Sequence, residues 1–133
     1  LGVSMIEQPL PRAGDAELEG YRCQIPLCAD ESCLDISELD QSSNRYDMIN
    51  IKLDKVGGLT AGLDLASKAR SLRLGVMVGN MAGTSLAMAP GLVLAQLCDY
   101  VDLDGPLLLS SDREHPLQYD NGVVSGLTPA LWG

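Results

Sequence analysis

The sequence is poor in the residues on which the commonest catalytic and binding schemes rest. Among 133 residues there is one histidine, His115, set in a polar stretch. That scarcity weakens any mechanism built on a Ser–His or Cys–His pair. Basic residues are few, nine against eighteen acidic ones, for a net charge of −9. A polyanion would be repelled, so a nucleic-acid partner is not expected. No run of about 18 apolar residues is present, and a membrane-spanning helix is not expected either. The four cysteines, Cys23, Cys28, Cys33 and Cys98, lack the close pairing and histidine partners of a zinc site. They read as reduced, mostly buried thiols of a cytoplasmic protein. Neither GxGxxG nor GxxxxGK[ST] occurs, and the glycines at 57–58 and 79–83 fit neither pattern, which argues against a nucleotide site. The start, Leu1 to Pro11, has no basic end and no small-residue cleavage site, so it is not a signal peptide. It opens inside an apolar run, as an internal segment of a longer chain would.

What is present is a repeated unit. Short apolar runs at 3–10, 25–32, 46–54, 74–80 and 99–109 alternate with helical patterns. The helical patterns are 14–24, 33–45 with a start near Asp35, 59–73, and 84–98 interrupted by Pro90-Gly91. In 59–73 the residues Leu59, Leu63, Ala66, Ala69 and Leu72 step by threes and fours, which predicts one buried face. Asp120-Asn121-Gly122 predicts a hairpin turn in the tail. Strands alternating with helices imply a parallel α/β sheet, either an open doubly wound sheet or part of a (β/α) barrel. The division expected is 1–108 for the barrel portion and 109–133 for a tail with a hairpin.

Each apolar run ends in, or carries, a polar residue: Glu7, Asp30, Lys52, Asn80, and the pair Asp102 and Asp104. They recur at intervals of roughly 22–28 residues, about one βα unit. Carboxyl ends of barrel strands meet at one face, where active sites form. Side chains alternate along a strand, so Asn50, Lys52 and Asp54 share one side while Ile49, Ile51 and Leu53 share the other. The apolar side suits the helices, which sends Lys52 into the barrel, and the same parity sends Asp102 and Asp104 inward together. Burying an ammonium costs several kcal/mol unless it is paired or has a function. Two carboxylates at adjacent strand ends are hard oxygen donors of the kind Mg2+ takes. A lysine in such a site, beside a metal, would have a lowered pKa and serve as general base or acid. The aspartate pair could hold a cationic group of a substrate.

The motifs IEQP, CADES, NIKLDKVGGLT, MVGNMAGTSLA and VDLDGP together resemble successive strand-end motifs of the muconate-lactonizing branch of the enolase superfamily. The D-x-D with the string IKLDKVGGLT is most similar to the L-Ala-D/L-Glu dipeptide epimerases, and the likeness covers nearly all of 1–108. It implies a partial (β/α) barrel carrying strands four to eight. It also implies Mg2+ held by Glu7 and Asp30, Lys52 as acid/base, Asn80 near the substrate, and Asp102 and Asp104 on the α-ammonium of a dipeptide. Lys55, of opposite parity, is expected at the periphery or surface. The family's second catalytic lysine, its third metal ligand and its capping domain are not in these 133 residues, so the chain alone is expected to be inactive. The D-x-D argues against o-succinylbenzoate synthase and muconate cycloisomerase, whose substrates carry no ammonium. N-acyl amino acid racemisation and a non-catalytic half-barrel, assembling as a structural unit or homo-oligomer, are the alternatives.

Overall fold

A computed structural model describes residues 2–133. Five strands, β1 (Ile6–Glu7), β2 (Leu27–Ala29), β3 (Met48–Lys52), β4 (Gly75–Gly79) and β5 (Tyr100–Val101), lie in chain order in one sheet. Every pairing in it is parallel. The sheet curls into a half-barrel, which decides between the two architectures expected from the sequence. Helices α1 (Leu39–Ser42), α2 (Leu53–Val56), α3 (Leu59–Ser71) and α4 (Ser85–Ala95) fall in the connections. Strands β6 (Tyr119–Asp120) and β7 (Val123–Val124) form the hairpin foreseen in the tail. Its turn residues Asn121 and Gly122 both have positive φ, 47° and 79°, the conformation an Asn-Gly pair favours in a two-residue hairpin.

The parity expected of β3 is realised. Ile49, Ile51, Val76 and Val78 are wholly buried against the helices, in a core that also takes Leu27, Leu65, Ala69 and Leu94. The opposite face carries a separate apolar layer of Cys28, Met48 and Met77, flanked by Met5 and Tyr100, which fills the concave side. Glycines on β4 make room there: a Cβ on Gly75 would lie 2.7 Å from Met48 Cγ, and one on Gly79 would lie 2.6 Å from Asn50 Oδ1. Large side chains of β3 thus occupy the space left by small residues of β4. Two aspartates hold the opposite ends of the strands. Asp47 accepts from the amide of Leu27 and Asp99 from that of Val76, each at 2.9 Å, fastening a strand to its predecessor.

Five local expectations are corrected. The segment 14–24 forms only a 3-10 turn, Asp15–Leu18. Asp15 is buried there against Arg45, and Gly20 at φ 77° turns the chain away. The third strand stops at Lys52 instead of running to Asp54, and α2 begins at once. Gly57 and Gly58, at φ 98° and 106°, then separate α2 from α3. The buried face of α3 is Gly62, Leu65, Ala66 and Ala69, with Leu59 and Leu63 at its margin and Leu72 outside. Its centre is Gly62, which lies so close to Leu53 that a Cβ would meet Leu53 Cδ2 at 2.5 Å. Helix α4 runs uninterrupted through Pro90, because Met88, Ala89, Gly91 and Leu94 are all seated in the core. The fifth strand is two residues long, so Asp102 and Asp104 follow it rather than lie on it. The helix start near Asp35 is as expected: its carboxylate accepts from the Ser37 amide at 2.7 Å.

Asp15 has its side chain 5% exposed, 2.7 Å from a guanidinium 14% exposed. Removing one partner of such a pair leaves an uncompensated buried charge. Asp15→Ala should therefore lower stability by about 3–5 kcal/mol in urea unfolding at neutral pH. A loss below about 1 kcal/mol would mean that Arg45 finds water instead.

Candidate active site

Three of the expected residues stand at the carboxyl ends of adjacent strands: Glu7 closes β1, Lys52 closes β3, and Asp30 follows β2 directly. The parallel register aligns Glu7 with Cys28 and Cys28 with Met48, so Glu7, Asp30 and Lys52 rise from the concave layer of Cys28 and Met48. Asp30 is buried, and each of its carboxylate oxygens meets an ammonium. Lys52 Nζ lies 2.6 Å from Oδ2, and Lys55 Nζ lies 3.0 Å from Oδ1. Lys55 was expected at the periphery, but the turn into α2 at Leu53 breaks the strand parity and brings it back over the site. A second carboxylate, Glu31, lies 3.7 Å from it.

Burial raises the Asp30 pKa, but the hydrogen bonds and charges of Lys52 and Lys55 outweigh it, and the net shift is downward. Burial likewise pulls the Lys52 pKa down, while the hydrogen bond and charge of Asp30, and then the charge of Glu7, carry it above 10.5. The sequence led to the opposite expectation for Lys52. The reason is direct contact between Lys52 and an ionised carboxylate.

Two further residues of this cluster were not singled out in the sequence. Asn50, buried on the same face of β3, donates from Nδ2 to Glu7 Oε1 at 2.6 Å. Its signal was a polar residue in an apolar strand with the parity of Lys52. Gln8 adopts a left-handed backbone, φ 39°, immediately before Pro9. Its side-chain oxygen accepts from the amides of Asp30 and Ser32, at 2.9 and 3.2 Å. Its amide nitrogen reaches the Leu10 carbonyl at 2.7 Å and Ser32 Oγ at 2.8 Å. One side chain thereby ties the end of β1 to the loop that carries Asp30. Nothing in the local sequence distinguishes it from a solvated glutamine.

Asp102 and Asp104 lie together beyond β5, and the Asp102 amide continues the ladder to Val78 at 2.9 Å. Burial raises the Asp102 pKa above 3.8, and the neighbouring charge of Asp104 adds to the rise. Asn80 donates from its amide to the Asp102 carbonyl at 2.8 Å, so it braces the backbone of the aspartate segment. A groove of about 1000 Å3 lies beside this segment rather than over Lys52, between α4 and the β6–β7 hairpin. Val93, Val101, Leu107, Val123 and Leu127 line it together with the two aspartates. His115 is exposed and stands next to exposed Glu114. No helix among the described residues is long and apolar enough to cross a membrane.

Glu7 and Asp30 suit Mg2+ by chemistry, being hard carboxylate donors at neighbouring strand ends. Among the described residues no group of three or more His, Cys, Asp or Glu could hold a metal. The pair alone would offer at most two donors of an octahedral set. All four cysteines are free thiols, with Cys28 and Cys33 buried, Cys98 half-buried and Cys23 exposed.

Residues 1–128 match the family described as enolase C-terminal domain-like. An N-acetyl-D-glutamate racemase of Pseudoalteromonas sp is 51% identical over 133 residues, covering 100% of this chain and 42% of the relative. An L-Ala-D/L-Glu epimerase of Escherichia coli (strain K12) is 48% identical over 124 residues, 93% of this chain and 39% of the relative. The chain thus spans about two fifths of the length of these relatives. Among solved structures, an enolase family member from Agrobacterium tumefaciens with homology to dipeptide epimerases, holding sodium and L-Ala-L-Glu, superposes with a TM-score of 0.93. It is 48% identical and covers 98% of this chain and 40% of that one. A dipeptide epimerase from Methylococcus capsulatus, in complex with Mg and L-Arg-D-Lys, gives 0.85 at 29% identity, over 95% and 38% of the two chains.

The ion pair sets a pH dependence. Asp30, with its pKa depressed, contributes stability that is present above 3.8 and lost as pH falls through its folded value. Lys52, with its pKa raised, contributes stability that is present below 10.5 and lost as pH rises through its folded value. In Asp30→Asn, burial is left to dominate at Lys52, and its pKa should fall. A 13Cε titration of Lys52 by NMR reads this directly, and an unchanged or higher value would show that Asp30 is not what holds the ammonium.

Proposed function

Because this chain belongs to the enolase C-terminal domain-like family, we propose that it forms the later part of the catalytic barrel of an Mg2+-dependent epimerase. Its substrates would be dipeptides of the L-Ala-D/L-Glu type. The observation that carries the reading is the Lys52–Asp30 contact at the strand ends, on the concave face. An ammonium in that place, anchored by a buried carboxylate, is in position to exchange a proton with a carbon held above the sheet. In its neutral form Lys52 takes the proton α to a carboxylate; as an ammonium it returns one. A group of the remaining protein would act from the opposite face, so this chain alone does not complete the reaction. Glu7 and Asp30 would hold the metal, which when bound draws charge from the substrate carboxylate and makes the α-proton easier to remove. Asn80 lies near the substrate only through its brace on Asp102. Asp102 and Asp104 would bind the substrate's α-ammonium, since two adjacent carboxylates of which one already has a raised pKa are relieved by a cation. The relatives that are dipeptide epimerases support a dipeptide as substrate. The barrel portion would end near residue 108 with the 3-10 turn Gly105–Leu108, and 109–133 would be the tail. We place the enzyme in the cytoplasm.

A second reading is racemisation of an N-acyl amino acid, favoured by the relative that is an N-acetyl-D-glutamate racemase. It shares the proton transfer at Lys52 and differs at the aspartate pair, because an acylated nitrogen carries no charge.

In the complete enzyme, Lys52→Ala should slow epimerisation of L-Ala-L-Glu by about 10²–10⁴-fold, the range for loss of a general acid or base. Normal turnover of that variant would displace Lys52 from the role. The aspartate pair is tested by comparing the free dipeptide with its N-acetyl form. Acetylation should cost about 2–5 kcal/mol in kcat/KM, and Asp104→Asn should shrink the difference. Equal use of both substrates, or a preference for N-acetylglutamate, would favour the second reading.

A further inference from the structure

Asn50 is a poor choice for stability. It is 3% exposed, and its neighbours on the concave face are Met48 and Met77. Its Oδ1 is buried with no hydrogen-bond partner. A buried polar atom left unpaired costs free energy that an apolar side chain of the same shape avoids. The amide head is nevertheless held in one place by two separate features. An ionised carboxylate only accepts hydrogen bonds, so the NH2 side must face Glu7, where Nδ2 lies 2.6 Å from Oε1. On the other strand, the head lies against the bare Cα of Gly79. A Cβ there would come within 2.6 Å of Oδ1, 2.7 Å of Nδ2 and 3.0 Å of Cγ. Gly79 has no positive φ that would call for glycine, so what its missing side chain provides is space for this amide.

We infer that Asn50, seated on Gly79, is a positioning residue that orients the Glu7 carboxylate toward the metal. The inference rests on the reading of Glu7 as a metal ligand. Glu7 is itself exposed, so packing does little to fix its side chain. The amide restricts one carboxylate oxygen and leaves the other free to coordinate. Groups that hold a metal ligand in this way typically change metal affinity 10–100-fold when removed.

The test uses the complete enzyme with Mn2+ as probe, free Mn2+ being counted by EPR, alongside urea unfolding of the same proteins. Asn50→Leu keeps the branched shape and removes both polar atoms. It should bind Mn2+ at least about tenfold more weakly while its unfolding midpoint stays level or rises. Gly79→Ala, which pushes the amide off its seat without altering it, should weaken Mn2+ similarly, and the double variant should be no worse than either alone. A lower midpoint for Asn50→Leu would make Asn50 a structural residue and overturn the inference. Wild-type Mn2+ affinity in Asn50→Leu, with binding abolished in Glu7→Gln, would overturn it and leave the site reading intact. Wild-type affinity in Glu7→Gln would remove Glu7 from the metal, and the inference with it.

Discussion

An ammonium on the concave face of a parallel sheet has to be neutralised, and the way Lys52 is neutralised organises this end of the molecule. Its partner Asp30 comes from the neighbouring strand, so the contact spans the β2–β3 ladder. Asp30 in turn is fixed through its backbone by Gln8, which brings in β1. Lys55 reaches the same carboxylate because the chain turns helical at Leu53. Three strand ends and the start of α2 are therefore arranged around one buried carboxylate. The two ammonium groups keep it ionised against the cost of burial.

The other end of the strands is held by a different device. Asp47 and Asp99 each accept a backbone amide of the preceding strand, and Asp99 also pairs with Arg70 at 2.8 Å. There the charges are exposed and local, and they fix register. At the carboxyl ends Asp30 is buried and reaches across the ladder to Lys52, which is the arrangement expected where an electrostatic environment rather than a fold is being maintained. The two ends of one sheet thus use the same residue types for different purposes.

How much of this could be read beforehand follows from how local each signal was. The alternation Met48-Ile49-Asn50-Ile51-Lys52 is local, and it indicated both the strand and the inward direction of Lys52. The same alternation continues through Leu53-Asp54 and fails only at Lys55, so nothing local marks the turn into α2 at Leu53 that sets the place of Lys55. In α3 the buried stripe is centred on Gly62, a residue with no hydropathy to reveal it. Pro90 carries a strong local signal for a break, which tertiary burial of its neighbours overrides. Gln8 and Asn80 act by bracing backbone that is distant in sequence. Spacing marked Asn80 as a strand-end residue, but only three-dimensional proximity reveals what either amide braces. The D-x-D was read as the inward face of a strand, whereas the strand ends at Val101 and the two carboxylates come together just beyond it.

The outermost strands, β1 and β5, are only two residues long, while β3 and β4 at the centre have five each. A two-residue edge presents very few free amide and carbonyl groups, and a stray strand that docks on it gains little. The same shortness means that a segment completing the cylinder would find few main-chain partners on this half and would rely more on side-chain packing.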